Sequence, residues 1–448
     1  MPSIEEIAHA FDPTPGGITS DEIVDRALQY SPELKKAQLS ENTARANKAR
    51  ATLAFAPRFD FSGKYTELSD NIKFPTFNIG GQGFSFQQVL SQWYTQASVM
   101  LPVTDMFLTV IPQYKAASAA SVVATKRVEA SELQVSYDAR LAFYNYAHVL
   151  GAVVVAQRSV GQLEANVADL EALVQAGTAT ETDLIRARAE LARMKVNVVE
   201  FTGQVDVALA RLAIITGTDM DPGRGIGEVF VGIQTGATPD AAKLADRAKR
   251  TRPEALALRK LEEAREYMAK AKRGAQYPQL KGFFNGYYAN PNMRVIPQQD
   301  KWTPSWDLGV SLSYSPNDSI FAHTQYSDAL TELESVRQDL RLVEDGIDIE
   351  VANAVSAHRT AVANTQAATD TLTASWRYAR DQRELMMAGV ATPNDALVAQ
   401  VLLSRSALEW VDSYIRVRMA EAGLLKAQGQ ARSSKSPSAT SPVARSTP

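Results

Sequence analysis

The stretch WDLGVSLSY, Trp306 to Tyr314, decides how this chain is read. Trp306, Leu308, Val310, Leu312 and Tyr314 are large and apolar, while Asp307, Gly309, Ser311 and Ser313 are small or polar. A period of two predicts a strand with one greasy and one polar face. Phe59-Asp60-Phe61-Ser62-Gly63-Lys64-Tyr65-Thr66 alternates in the same way, Ala97 to Leu101 does so more weakly, and Leu280 to Tyr288 is the least regular. Four strands follow, at about 58–68, 91–101, 279–288 and 306–315, in two pairs joined by polar loops near 69–90 and 290–304.

A soluble sheet with one buried face would also alternate. Such a sheet would leave two edges and a broad apolar face uncovered, because the neighbouring segments read as helices that run on well past it. Sixteen of the 35 aromatic residues fall in positions 58–101 and 279–316, which favours strands that cross a membrane and end in aromatic girdles. Strand lengths near ten residues suit that role. The lipid-facing set is then Phe59, Phe61, Tyr65, Trp306, Leu308, Val310, Leu312 and Tyr314. Four strands cannot close a barrel, and backbone groups in hydrocarbon must all be paired, so closure has to come from several chains. Three copies supply twelve strands, an even number in the usual range.

The chain is also duplicated. Asp25-Arg26-Ala27, Pro32-Glu33 and Pro57 recur as Asp246-Arg247-Ala248, Pro253-Glu254 and Pro278, at a spacing of 221. Pro102 and Phe107 pair with Pro316 and Phe321 at 214, and AGTATETD (176–183) pairs with AGVATPND (388–395) at 212. The organisation that results is an N-terminal extension (1–17), a first repeat (18–217), a connector (218–238), a second repeat (239–429) and a disordered Ser- and Pro-rich tail (430–448). Within each repeat a helical stretch broken near a Ser-Pro or Arg-Pro pair precedes the strands. A very long helix follows, about 105–176 or 319–388, which at 1.5 Å per residue is roughly 100 Å. A return helix, about 181–216 or 393–428, then stops at Gly217 or Gly429.

Composition excludes several classes. A net charge of -3 argues against a nucleic-acid partner. The absence of cysteine removes disulfides, thiolate metal sites and cysteine nucleophiles. His9, His148, His323 and His358 are scattered without metal-ligand spacing, so no metal and no cofactor are expected. Gly223-Arg224-Gly225-Ile226-Gly227 follows no strand, which makes a phosphate loop a poor reading. No catalytic set can be assembled, and an enzyme is the least supported class. No run of 18 or more apolar residues occurs, which argues against a membrane-spanning helix. The first 22 residues do not read as a signal peptide, so either the protein is cytosolic or the numbering begins near a mature end.

The two small-residue turns explain themselves locally. Gly177 and Gly389 suit left-handed helix ends, Thr180 and Thr392 are natural N-caps, Pro393 fits the first helical position, and Asp183 and Asp395 fall three residues after the caps.

The duplicated unit, the opening ITSDEIVDRALQYSPEL, both turns and the helix RARAELARMKVNVVEFTGQVDVALARLAIITG resemble the outer-membrane efflux protein family typified by TolC, over residues 18 to 429. The resemblance implies a mostly α fold with a small β part. Its duplicated unit of long coiled-coil helices plus two strands trimerises into a 12-stranded membrane β-barrel and a periplasmic α-helical barrel. It further implies a homotrimer in the outer membrane of a Gram-negative bacterium, in contact with outer-membrane lipid. The trimer would act as the passive exit duct of a tripartite efflux or type I secretion system, joined to an inner-membrane pump through a periplasmic adaptor. Thr182, Asp183, Met386 and Asp395 would lie at the periplasmic constriction. Gly177, Thr178, Ala179 and Thr180, with Gly389, Val390, Ala391 and Thr392, would form the adaptor-docking tips. Met386, Ala391 and Val398 stand where a tyrosine, an arginine and a second aspartate can be, so a gate closed by apolar packing and an Asp395 ring is expected. A soluble or peripheral coiled-coil scaffold with an inter-subunit sheet is the alternative.

Overall fold

The computed structural model describes residues 12–69, 77–79, 82–84, 89–229, 239–296 and 298–430. Most of the N-terminal extension with His9, most of the first polar loop, connector residues 230–238 and the tail from 431 lie outside the described residues. The helices are α1 (Ser20–Tyr30), α2 (Pro32–Leu53), α3 (Ile111–Gln175), α4 (Glu181–Thr216), α5 (Ala241–Thr251), α6 (Pro253–Gly274), α7 (Pro316–Met387) and α8 (Pro393–Ala427). The strands are β1 (Arg58–Glu67), β2 (Phe77–Ile79), β3 (Gln82–Phe84), β4 (Ser91–Pro102), β5 (Gln279–Asn290) and β6 (Thr303–Ser313). A short helical turn, Val103–Asp105, and a π-helical segment, Met106–Val110, lead from β4 into α3. The β2–β3 hairpin inside the first polar loop is an element that the alternation did not reveal.

Local chemistry sets the helix ends. Thr19 Oγ1 accepts the Glu22 amide at 3.2 Å to start α1, and Asp240 accepts the amides of Ala242 and Lys243 to start its counterpart α5. Each of these helices buries a short stripe, Ile23, Val24 and Ala27 in α1 and Leu244, Ala245 and Ala248 in α5. Pro32 and Pro253 then open the next helix, because proline needs no amide partner there. Gly217 ends α4 at φ 69°, a conformation that glycine alone adopts cheaply. A Cβ at this position would meet the Tyr30 ring at 2.2 Å.

Contacts divide the chain into two compact units, and each takes segments from both repeats. The first comprises residues 1–39, 126–256 and 342–448. Its core is built on Phe143, Tyr146, Leu212 and Leu372, all fully buried, with Trp410 donating its indole N–H to Thr369 Oγ1 at 3.2 Å. An 18-residue window within residues 103–175 reaches mean hydropathy 1.2, but 67% of it is buried within the fold, so core packing accounts for its apolar character. The glycine-rich connector belongs here too. Ile226 bridges to Ile18, and a Cβ at Gly17 would lie 2.5 Å from the Gly227 nitrogen, so these glycines serve close backbone approach. Arg224 clamps the same junction, donating to Glu22 Oε1 at 2.8 Å, to Glu22 Oε2 at 3.0 Å and to the Gly16 carbonyl.

The second unit comprises residues 40–125 and 257–341. It holds an antiparallel four-stranded sheet in the order β1-β4-β5-β6, so the β4–β5 pairing joins the two repeats and β1 and β6 are its edges. The helical stretches of this unit are tied by polar pairs, among them Arg265–Glu332 at 2.8 Å, Arg337–Glu262 at 2.9 Å and Thr125 Oγ1–Glu41 at 2.7 Å.

Candidate functional site

The strand register sorts the sheet into two chemically distinct faces. Phe59 pairs with Val99, Phe61 with Ala97 and Tyr65 with Trp93. Val99 pairs onward with Phe284 and Leu101 with Gly282, while Phe284 pairs with Leu308, Gly282 with Val310 and Leu280 with Leu312. Paired residues share a face, so one apolar face runs across all four strands. It is open to the surroundings: Phe61 is 80% exposed and Val310 75%. Trp306, Leu308 and Leu312 are exposed in the same row, and Tyr314 lies one residue beyond the end of β6. Aromatics gather where the strands meet the loops, with Tyr65 against Trp93 at 4.6 Å and Tyr288 stacked on Trp302 at 4.9 Å.

The opposite face carries Asp60, Ser62, Lys64, Tyr94, Gln96, Ser98, Asn285, Tyr287 and Asp307. Its polar groups bond to one another. Gln96 donates to Asn285 Oδ1 at 3.2 Å, Asn285 donates to Asp307 Oδ1 at 2.7 Å and the Tyr287 hydroxyl donates to Asp307 Oδ2 at 3.1 Å. Phe283 is a large apolar residue on this face, and its ring lies over Gly309, where a Cβ would come within 2.8 Å. The polar partners were visible in the sequence only as the even gaps of an alternating strand. Their mutual bonding depends on register across three strands.

The helical hairpin tips form the second candidate region. Gly177 and Gly389 both have φ 73°. Thr180 accepts the Asp183 amide at 3.2 Å while Asp183 Oδ2 accepts from the Thr180 amide and hydroxyl, and Thr392 and Asp395 repeat the arrangement. Thr178 folds its hydroxyl back onto the Leu173 carbonyl at 3.0 Å. Thr182, Val390 and Asp395 are exposed, Ala179 and Ala391 half-buried. Met386 is placed differently, being only 3% exposed. It packs among Val167, Leu170, Leu184, Ala187 and Ala396, so its side chain fills the interior between hairpins within one chain. Arg383–Asp169 at 2.7 Å and Arg188–Glu171 at 2.8 Å brace the same end, and Arg186 reaches Asn394 Oδ1 at 3.5 Å, joining the start of α4 to the start of α8.

A third feature lies on α4. Ile185, Ala189, Ala192, Val196, Val199, Gly203, Val207, Ala210 and Ile214 are all exposed, each three or four residues after the one before. That is an apolar seam of small and β-branched residues along one face of the helix, with the 3.6-residue period of a straight α-helix, and the described residues of this chain do not cover it. The signal was present in the sequence, in a helix otherwise notable for its turn and its glycine stop.

Residues 23–218 match the family model described as outer membrane efflux protein. A search of the curated proteins returned no match. Among solved structures, the chain is similar to a membrane protein from Pseudomonas aeruginosa, at TM-score 0.75 and 18% identity over 93% of this chain and 92% of that one. It is similar to the Campylobacter jejuni CmeC outer membrane channel at TM-score 0.74 and 16% identity, over 93% of this chain and 89% of that one. The outer membrane protein VceC from Vibrio cholerae gives TM-score 0.74 and 16% identity, over 92% of this chain and 96% of that one. At such identities the structures speak to the fold, which they share over nearly the whole chain. The first repeat thus resembles the outer membrane efflux protein family by sequence, and the whole duplicated architecture shares its fold with the solved outer-membrane channels.

Proposed function

We propose that three copies of this chain form an outer-membrane exit duct, each contributing four strands to one twelve-stranded barrel. The observation that carries this is the two-faced sheet with open edges. Its apolar face is too broad to stand in water, while its polar face would line an aqueous lumen. β1 and β6 each present an unpaired ladder of ten or so residues, which hydrocarbon does not permit. Joining β6 of one copy to β1 of the next pairs every ladder and preserves the antiparallel alternation. The α4 seam supports the same assembly, since an apolar helix stripe that one chain leaves bare can be covered by a helix from another copy.

In this assembly the strand ends at Glu67, Ser91, Asn290 and Thr303 face outward, and the helices form a periplasmic tunnel. The tips present Gly177, Thr178, Ala179 and Thr180 beside Gly389, Val390, Ala391 and Thr392 to a periplasmic adaptor, which links the duct to an inner-membrane pump. Thr182, Asp183 and Asp395 ring the constriction three times each, and carboxylate rings favour cations. Met386 supports the gate from behind by packing the tip. Export is passive, and the pump supplies the energy.

Light scattering in detergent, with the detergent contribution subtracted, tests the assembly. The expected mass is three times the 48.8 kDa of the chain. A monomer that stays soluble without detergent would overturn the barrel and favour the peripheral scaffold instead.

A further inference from the structure

The polar face of the sheet holds a residue that does not belong to the sheet. Arg294 lies in the β5–β6 connection, yet its guanidinium pairs with Asp307 and sits 4.2 Å from the centre of the Tyr287 ring. Asp307 is four residues into β6 from Thr303, about 13 Å along the strand. The connection therefore folds back over the polar face instead of standing clear of it. A second anchor fixes this course. Asn292, almost fully buried, donates to the Thr303 carbonyl and to Ser305 Oγ, both at 2.9 Å, and its Oδ1 accepts the Arg294 amide at 3.0 Å.

On this anchored segment Met293 and Ile296 are 61% and 81% exposed. Met293 has a polar neighbour, Gln298, whose amide donates to its sulfur at 3.1 Å, and Ile296 is the most exposed large apolar side chain among the described residues. Two apolar residues held over a water-lined surface are left largely uncovered by the described residues of their own chain. In a twelve-stranded barrel with strands about 4.8 Å apart and tilted by about 40°, the wall lies about 12 Å from the axis. Residues 292–296, at up to about 3.4 Å each, can span that distance.

We propose that the Met293–Ile296 segment is a self-contact surface: in the trimer its three copies meet near the axis and make an apolar constriction at the outer mouth, held inward by Arg294 on Asp307. The proposal rests on the trimeric duct. It adds to the duct a barrier at the mouth of the barrel, formed by side chains that resist wetting. Arg294 is a positioning residue, because it sets where the loop lies without itself meeting the other copies.

The chain contains no cysteine, so Ile296→Cys and, separately, Met293→Cys each place a single thiol per copy. Mild oxidation of the detergent-purified trimer is expected to give a covalent dimer with the third copy left single, at a yield independent of protein concentration. Arg294→Gln in either background is expected to remove most of that cross-link and to raise single-channel conductance roughly twofold, as a narrow apolar ring opens. A three-fold mass without cross-linking from either thiol, together with unchanged conductance in Arg294→Gln, would overturn the self-contact and leave the duct standing. A monomeric mass for the unmutated chain would instead overturn the duct on which it rests.

Discussion

At position 395 one carboxylate completes a helix cap and, in the proposed trimer, would add charge to a ring. Asp395 Oδ2 accepts from the Thr392 hydroxyl at 2.6 Å and from its amide at 3.2 Å. Two substitutions separate the roles. Asp395→Asn keeps an oxygen acceptor for the cap and removes the charge, so cation preference in single-channel recordings is expected to fall while the melting temperature holds. Asp395→Ala removes both, and is expected to increase leakage and to cost about 1 kcal/mol of stability, the usual worth of a cap. If both variants kept wild-type conductance and cation block, the carboxylate would be a cap alone. Gly217 shows a different residue-scale constraint. Its backbone is left-handed, and the Tyr30 ring lies 2.2 Å from where a Cβ would sit, which leaves no room for a side chain. Gly217→Ala is expected to destabilise the chain by more than the roughly 1 kcal/mol of backbone strain, because the ring must move as well, and chemical denaturation measures it.

Among the elements, α4 separates folding from assembly. Its inner face is already used within the chain, by Leu184, Ala187, Met194, Ala208 and Leu212, whereas the seam from Ile185 to Ile214 is not. Val199→Glu and Val207→Glu place charges on the seam without touching the core. They are expected to reduce the mass in detergent from three chains towards one, with helical content retained by circular dichroism. Glu200→Lys lies on the same helix off the seam, and should leave the mass unchanged. A seam variant that remained fully trimeric would show that this stripe is not where copies meet.

In the first compact unit an ion cluster ties α5, α6, α7 and α8 together. Arg252, almost fully buried, bonds Glu350 at 2.6 Å and Glu254 at 3.2 Å, Lys426 reaches Glu350 at 3.4 Å, and Lys249 bonds Asp348 at 2.6 Å. Burial pushes the Glu350 carboxyl upward, but the bond and charge of Arg252, with Lys426, outweigh it and hold the group below its ordinary 4.5. The hydrogen bond from Arg224 likewise holds Glu22 down, against a smaller opposing effect of burial. A depressed folded value means that the unfolded chain binds more protons, so this stability is present above about pH 4.5 and is lost as pH falls through the folded values. Denaturant titrations of the protein from pH 7 to pH 3 are expected to show that loss, and Glu350→Gln to flatten part of it. A Glu350→Gln profile parallel to the wild type would remove Glu350 from the account.

The sequence by itself determined the duplication, the four strands, the long helices and the turn chemistry, because each is written in local spacing. WDLGVSLSY alternates in any context, and Thr-x-x-Asp after a glycine caps a helix wherever the chain carries it. The same local reading put Phe59, Phe61, Tyr65, Trp306, Leu308, Val310 and Leu312 on one apolar face, since the face of a strand follows from parity alone. Tertiary structure decided what depends on register and on packing between distant segments. It grouped both repeats into each compact unit, and it sent Met386 inward among residues from α3, α4 and α8. It also brought Arg294 onto Asp307, a pairing thirteen residues apart that follows from a loop folding back over the sheet. A side chain's partners across a fold are set by how elements pack, and spacing along the chain carries that information only weakly.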